Sequence, residues 1–156
     1  MFEQPERLAL TRLELAAPTD ADVIVDIQWS GISTGTERLL WTGKMPMFPG
    51  MGYPLVPGYE SVGRIREAGS QSGSKAGDLV FVPGARCYGH VHGLFGGAAS
   101  TVVVPGAKAL VVDEALGEQA TLLALAATSP CAPAHPPAPG NCYPLELLPA
   151  AALCRG

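Results

Sequence analysis

Residues 55–65 read LVPGYESVGRI. Pro57 fixes its own φ and offers no N–H, and Gly58 reaches backbone angles closed to other residues, so the pair marks a turn. Beyond the turn, ESVGRIREAG reads as a strand. Gly63 inside it predicts a bulge or a close backbone approach. Tyr59 and Glu60 sit where turn becomes strand, and the stretch leaves open whether they carry chemistry or only hold the corner.

Working outward, short strands and Gly/Pro turns alternate. In ADVIVDIQWS, residues Val23, Val25, Ile27 and Trp29 alternate with Asp22, Ile24, Asp26 and Gln28, the period of a half-buried strand. RLALTRLEL reads as a strand before it, with turn residues APTDAD between the two. Downstream, GSQSGSKAGD is a polar turn, LVFVP a strand, and ASTVVVP and ALVVD short strands split by Pro105 and Gly106. TERLLWTG fits one helical turn, and GEQATLLALAAT predicts a helix from about Leu116. This pattern predicts a mainly β fold, a small and partly open barrel or sandwich with few helices.

The chain has 156 residues, 47% hydrophobic and 15% charged, enough for one domain with a core. No apolar run approaches the roughly 18 residues of a membrane span, and MFEQPERLAL lacks the apolar centre of a secretory leader. A net charge of -4, with scattered Lys44, Arg64, Arg66 and Lys75, argues against a nucleic-acid partner. Cys87, Cys131, Cys142 and Cys154 show no CxxC spacing, so a reducing, cytoplasmic setting without a disulfide framework is expected.

Near Ser129 the composition changes. PCAPAHPPAPGNCYPLELLPAAALCRG carries seven of the 15 prolines, a density that prevents both helix and central strand. Residues 1–128 are therefore expected to form the domain. Residues 129–156 are expected to be a Pro/Ala-rich tail, either disordered or the product of a shifted reading frame.

Three further constellations stand out. WTGKMPMFPGMGY holds Met45, Met47 and Met51 with Trp41, Phe48 and Tyr53 in a Pro/Gly-rich loop. Adaptable thioethers and flat rings suit a broad apolar ligand, with Lys44 placed to meet an acidic group on it; the alternative is a loop folded over its own barrel. CYGHVHG places Cys87, His90 and His92 close together, with metal-ligand chemistry but no familiar spacing and no fourth ligand. FGGAAS is not followed by a helix, so Gly96 and Gly97 are turn residues rather than a phosphate cradle.

The succession VIVDIQWSGISTGTE, YPLVPGYESVGRI, SKAGDLVFV, FGGAASTVVVPGAKALVV and EQATLLALAAT resembles the N-terminal GroES-like catalytic domain of the medium-chain dehydrogenase/reductases, over about residues 5 to 128. The stretch from Ser30 to Gly63 is most similar to the bacteriochlorophyllide a dehydrogenase branch. That resemblance implies a tetrapyrrole substrate, oxidation of its 3-(1-hydroxyethyl) group to acetyl, and NAD as hydride acceptor. It also implies a Rossmann cofactor domain after residue 128, whose place the Pro/Ala-rich segment takes. No GxGxxG follows a strand, so no cofactor-binding residue is assigned, and the chain alone is expected to be an incomplete, inactive form. A homo-oligomer would then belong to a full-length form.

Zinc members of that family have cysteine where this chain has Ser33 and histidine where it has Tyr59. The region of their third ligand, ATLLALAAT, offers no donor. Neutral hydroxyls are poor zinc ligands beside thiolate and imidazole, so no zinc and no metal ligand are expected. Ser33, Thr36, Tyr59 and Glu60 are then the candidate catalytic groups, with Tyr59 backed by Glu60 as a polar relay; a structural Tyr and Glu holding the turn is the competing reading. Trp41, Met45, Met47, Phe48 and Tyr53 are the candidate substrate contacts. A quinone or enone reductase using NADPH, and a non-catalytic pigment-binding module, are the alternatives.

Overall fold

A computed structural model describes residues 1–128. The proline-rich segment, with the tail or altered frame expected there, lies outside the described residues. Nine strands run in chain order: β1 (Phe2–Gln4), β2 (Arg7–Leu8), β3 (Asp22–Ser30), β4 (Leu55–Val56), β5 (Ser61–Ala68), β6 (Leu79–Val82), β7 (His92–Gly93), β8 (Thr101–Pro105) and β9 (Leu110–Val111). Two helices join them, α1 (Thr36–Trp41) and α2 (Leu123–Thr128). The strands form two open sheets, ordered β2-β1-β4-β7 and β8-β3-β5-β6-β9, so the fold is mainly β as expected.

Strand β3 is the spine of the larger sheet, pairing antiparallel with β5 on one side and β8 on the other. Its alternation is partly realised. Val23 and Val25 are fully buried, Ile27 is half-buried and Trp29 is exposed. The cause is a register shift: Ile27 faces Gly63 and Trp29 faces Val62, leaving Gln28 as the extra residue of a bulge. Gly63 makes this possible. A Cβ there would lie 2.2 Å from the carbonyl oxygen of Asp26, so only glycine lets the strands approach.

Strand β6 explains why LVFV is apolar throughout. Val80 and Val82 join Val23, Val25, Ile65, Val102 and Val104 in the main core. Leu79 and Phe81 point the other way, to Val62 and Ala120 under the C-terminal segment. A strand buried on both faces needs no polar alternation. A third cluster gathers Phe2, Leu40, Leu55 and Leu94 beneath the smaller sheet. Among side chains of this kind, full burial contributes about 1.5–3 kcal/mol each. Pro105 ends β8, an edge strand, where a missing N–H costs no ladder bond.

Two expected elements differ. Only Arg7–Leu8 of RLALTRLEL is strand, and Leu10 is fully exposed. The apolar alternation there finds no neighbouring strand to pair with, while the preceding Phe2–Gln4 pairs with both β2 and β4. The helix expected from Leu116 is not one continuous α-helix. Residues Glu114–Leu122 form 3-10 turns broken at Gly117, whose φ of 47° and ψ of -126° are non-helical, and α-helix begins only at Leu123. Arg64 on β5 clamps the start of this segment through two hydrogen bonds to Glu114, of 2.7 and 2.6 Å. Among the described residues, no helix is long and apolar enough to cross a membrane.

The close approach at Gly63 is directly measurable. Gly63→Ala is expected to lose about 2–4 kcal/mol of stability, because backbone rather than a flexible side chain blocks the new methyl. Urea unfolding midpoints of the two proteins check this.

Candidate active site

The far end of β3 runs through Gly31 and Ile32 into Ser33, then into α1. Ser33 lies just ahead of α1, whose N-cap is Gly35. Ser33 Oγ accepts from the Thr36 N–H at 3.2 Å, and the Ser33 N–H donates to Glu37 Oε2 at 2.9 Å. This is a reciprocal capping arrangement, in which side-chain oxygens satisfy N–H groups the first helical turn leaves free. Helix α1 then turns Glu37 and Leu40 inward, while Arg38 and Leu39 face out.

The turn Pro57–Glu60 meets this corner from the other side. Gly31 N–H donates to the Glu60 carbonyl at 2.8 Å. A Cβ on Gly31 would lie 2.2 Å from Glu60 Oε2, so glycine is what makes room for that carboxylate. The loop around Gly96 and Gly97 clasps the turn: Gly97 N–H donates to the Gly58 carbonyl at 2.7 Å, and Ala98 N–H to that of Pro57 at 2.9 Å. Gly58 has φ of 103°, and a Cβ there would meet Ala98 N at 2.6 Å. The two glycines of FGGAAS thus hold the turn that carries Tyr59, beyond leading into β8.

The four candidate catalytic residues come to one corner. Thr36 Oγ1 and Tyr59 OH are 3.5 Å apart, long for a hydroxyl pair and open to tightening around a third oxygen. Tyr59 packs edge-on against Phe95, with ring centroids 5.1 Å apart. Glu60 is only 5% exposed. The sequence reading missed Glu37, which is 6% exposed and has an oxygen in the same corner without a partner. The sequence signal was weak: Glu37 is an acid in the first helical turn, a place that favours acids whether or not they are buried. Burial pushes the Glu37 carboxyl above the usual carboxylate range, and the Glu60 charge adds to the rise. Hydrogen bonds from its own backbone N–H and from Ser33 oppose it.

The candidate substrate contacts divide. Trp41, Met45 and Tyr53 pack onto the Phe2–Leu40–Leu55–Leu94 cluster. Trp41 lies edge-on to Phe2 at 5.5 Å, and Tyr53 donates its hydroxyl to the Leu40 carbonyl. Met47 and Phe48, at 81% and 39% exposure, stand out at the loop tip. Anchors and tip are therefore separate sets of residues. Cys87 is buried and accepts a 3.5 Å contact from Val103 N–H, whereas His90 and His92 are exposed. Among the described residues, no three His, Cys, Asp or Glu side chains form a metal-ligating group.

A family model for the alcohol dehydrogenase GroES-like domain matches residues 19–114. The chain belongs to the GroES-like domain family of the medium-chain dehydrogenases. Two relatives, both named 2-desacetyl-2-hydroxyethyl bacteriochlorophyllide A dehydrogenase, are 50% identical to this GroES-like chain. The Cereibacter sphaeroides protein aligns over 130 residues, 80% of this chain and 41% of its own length. The Rhodobacter capsulatus protein aligns over 126 residues, 80% of this chain and 40% of its own length. The chain thus spans about two fifths of the curated relatives it matches. A short chain alcohol dehydrogenase from E. coli CFT073, solved with NADH, superposes with a TM-score of 0.59 at 24% identity, over 78% of this chain and 40% of that one. That likeness shows the fold alone.

Zinc, which other GroES-like domains bind at this corner, does not fit the donor set present. Ser33 and Tyr59 offer neutral hydroxyls where thiolate and imidazole would be needed. The two acids behind them are buried, with one oxygen each unpartnered.

The Glu37 environment makes stability depend on pH. Its folded carboxyl is raised, so the folded state holds the proton more tightly than the unfolded chain. Its contribution is complete below the ordinary carboxylate range and is lost as pH rises through the folded value. Glu37→Gln is therefore expected to melt a few degrees higher than the parent at mildly alkaline pH, with the gain vanishing in acid. Thermal unfolding followed across pH checks the sign.

Proposed function

We propose that the chain supplies the substrate-handling domain of a zinc-independent, NAD-dependent dehydrogenase that oxidises the 3-(1-hydroxyethyl) group of a bacteriochlorophyllide to acetyl during bacteriochlorophyll synthesis. The observation that carries this reading is the 50% identity, over 80% of the chain, to proteins so named. Identity at that level over most of the chain supports a shared substrate class as well as a shared fold. A nicotinamide acceptor follows from the dehydrogenase names of those relatives. Residues 1–128 form the proposed domain, and nicotinamide binding rests on residues outside it. The reaction is placed in the cytoplasm, in keeping with cysteines that show no disulfide spacing.

The nicotinamide, when bound, accepts a hydride from the carbinol carbon. The chain's own residues hold the alcohol for that transfer. Thr36 and Tyr59 supply hydroxyls 3.5 Å apart that close on the substrate oxygen and stabilise charge as it develops there. Phe95 against the Tyr59 ring limits its swing. Glu60, buried on the same turn, contributes a carboxylate to the corner. Met47 and Phe48 offer exposed, adaptable apolar surface to the macrocycle, while Trp41, Met45 and Tyr53 fix the loop that carries them.

Incubation of the full-length protein with a 3-(1-hydroxyethyl) chlorin and NAD is expected to yield the acetyl product. Reduction of a simple enone by NADPH, with the chlorin untouched, would instead identify a reductase. Pigment bound by residues 1–128 without turnover would identify a binding module. Tyr59→Phe is expected to lower kcat by about 100-fold, the scale of one proton-transfer group. Met47→Ala combined with Phe48→Ala is expected to raise KM and leave kcat nearly unchanged. Steady-state kinetics with the chlorin separate the two effects.

A further inference from the structure

Glu37 Oε1 and Glu60 Oε1 are the buried side-chain oxygens left without a hydrogen-bond partner among the described residues. Both residues are more than nine-tenths buried. Ionised oxygen in such a place is costly unless a donor meets it or a proton arrives. The rest of Glu37 is well held: Oε2 takes the Ser33 N–H at 2.9 Å, and α1 fixes the backbone. Its other oxygen is the unmet one. The Ser33 hydroxyl also bears on the carboxylate, and Ser33 is half-exposed where Glu37 is not.

The electrical surroundings point the same way. Among the described residues, Glu60 on the facing turn is the charged group that acts on Glu37. Tyr59 on that turn, Ser33 ahead of α1 and Thr36 at its start contribute hydroxyls. No Lys, Arg or His of the described residues bears on the carboxylate. Gly31, lacking a Cβ, makes the room in which the Glu60 carboxylate sits in this corner. A proton arriving at Glu37 therefore relieves both its desolvation and its repulsion by Glu60.

We propose that Glu37 is the proton acceptor of the site, taking the hydroxyl proton of the substrate through Ser33. The step balances within the dehydrogenase reading on which it rests. The carbinol C–H pair leaves as hydride to the nicotinamide, and the C–O bond becomes a carbonyl. Ser33 Oγ takes the substrate's hydroxyl proton as it passes its own to the Glu37 carboxylate beside it. The alcohol is oxidised, the nicotinamide reduced, and one proton rests on the Glu37–Glu60 pair until solvent removes it. Glu60 acts as the positioning charge that keeps Glu37 basic.

The test uses pH profiles of the full-length protein oxidising the hydroxyethyl chlorin with NAD. In the parent, kcat/KM is expected to rise with pH through a limb above the usual carboxylate range. Glu37→Gln should lower kcat by about 100-fold and erase that limb. Glu37→Asp, which keeps a carboxylate, should recover part of the rate and the limb. Glu60→Gln should move the limb to lower pH, a shift that a purely structural role would not produce. A parallel infrared titration of the 156-residue chain should show a carboxylic-acid carbonyl band persisting above the ordinary carboxylate range. That band should be lost in Glu37→Gln and should disappear at lower pH in Glu60→Gln. An unchanged limb in Glu37→Gln, with the parent turning over, overturns the acceptor role and leaves the dehydrogenase reading standing. A parent that does not oxidise the chlorin overturns both, while the infrared band still decides whether the pair holds a proton.

Discussion

The approach of β5 to β3 at Gly63 is the constraint from which the corner follows. With no Cβ at that position, the backbone of β5 closes on the Asp26 carbonyl, and β3 accommodates the contact by bulging at Gln28. The bulge turns Trp29 out of the core and steers the strand end toward the Pro57–Glu60 turn. Ser30 then pairs with Ser61, and Gly31 reaches the Glu60 carbonyl. From there the chain passes through Ser33 into α1, which swings Glu37 inward. Without the narrow strand contact, the two chain segments that make the site would have no common register.

The site that results is built of oxygen. A serine and a threonine hydroxyl, a phenol and two carboxylates gather at the corner. Such a set favours moving a proton over gripping a soft cation. Burial works in the same direction, because a desolvated carboxylate gains basicity without any metal. The loop from Trp41 to Tyr53 complements this by dividing its work: Trp41, Met45, Met51 and Tyr53 pin it to the small core, and Met47 and Phe48 stand out at its tip. A rigid base with an adaptable end suits a large flat ligand.

Much of the fold was legible in local pattern. Strand β3 and strand β5 showed alternation and a marked glycine, and LVFV was apolar throughout, as a strand covered on both faces must be. The turns announced themselves through Pro and Gly. What misled was pattern without a partner. RLALTRLEL alternates well, yet most of it has no strand beside it, so two residues pair and the rest do not. GEQATLLALAAT has helical spacing, but Gly117 adopts a non-helical backbone and the true α-helix starts later. Glu37 was passed over because an acid in the first turn of a helix ordinarily faces water. Here the turn Pro57–Glu60 covers it.

From its residues alone, this chain determined the succession of strands and turns, the absence of the usual zinc donors at Ser33 and Tyr59, and the gathering of methionines and rings in one loop. These are properties of residue type and spacing, and they are present before any folding. Which side chains meet was decided only by tertiary structure. Ser33 and Glu37 are separated from Tyr59 and Glu60 by more than twenty positions, and sheet register alone brings them to one corner. Burial then gave the Glu37 carboxylate a basicity its sequence neighbours do not supply, because desolvation and like-charge repulsion depend on distance in space.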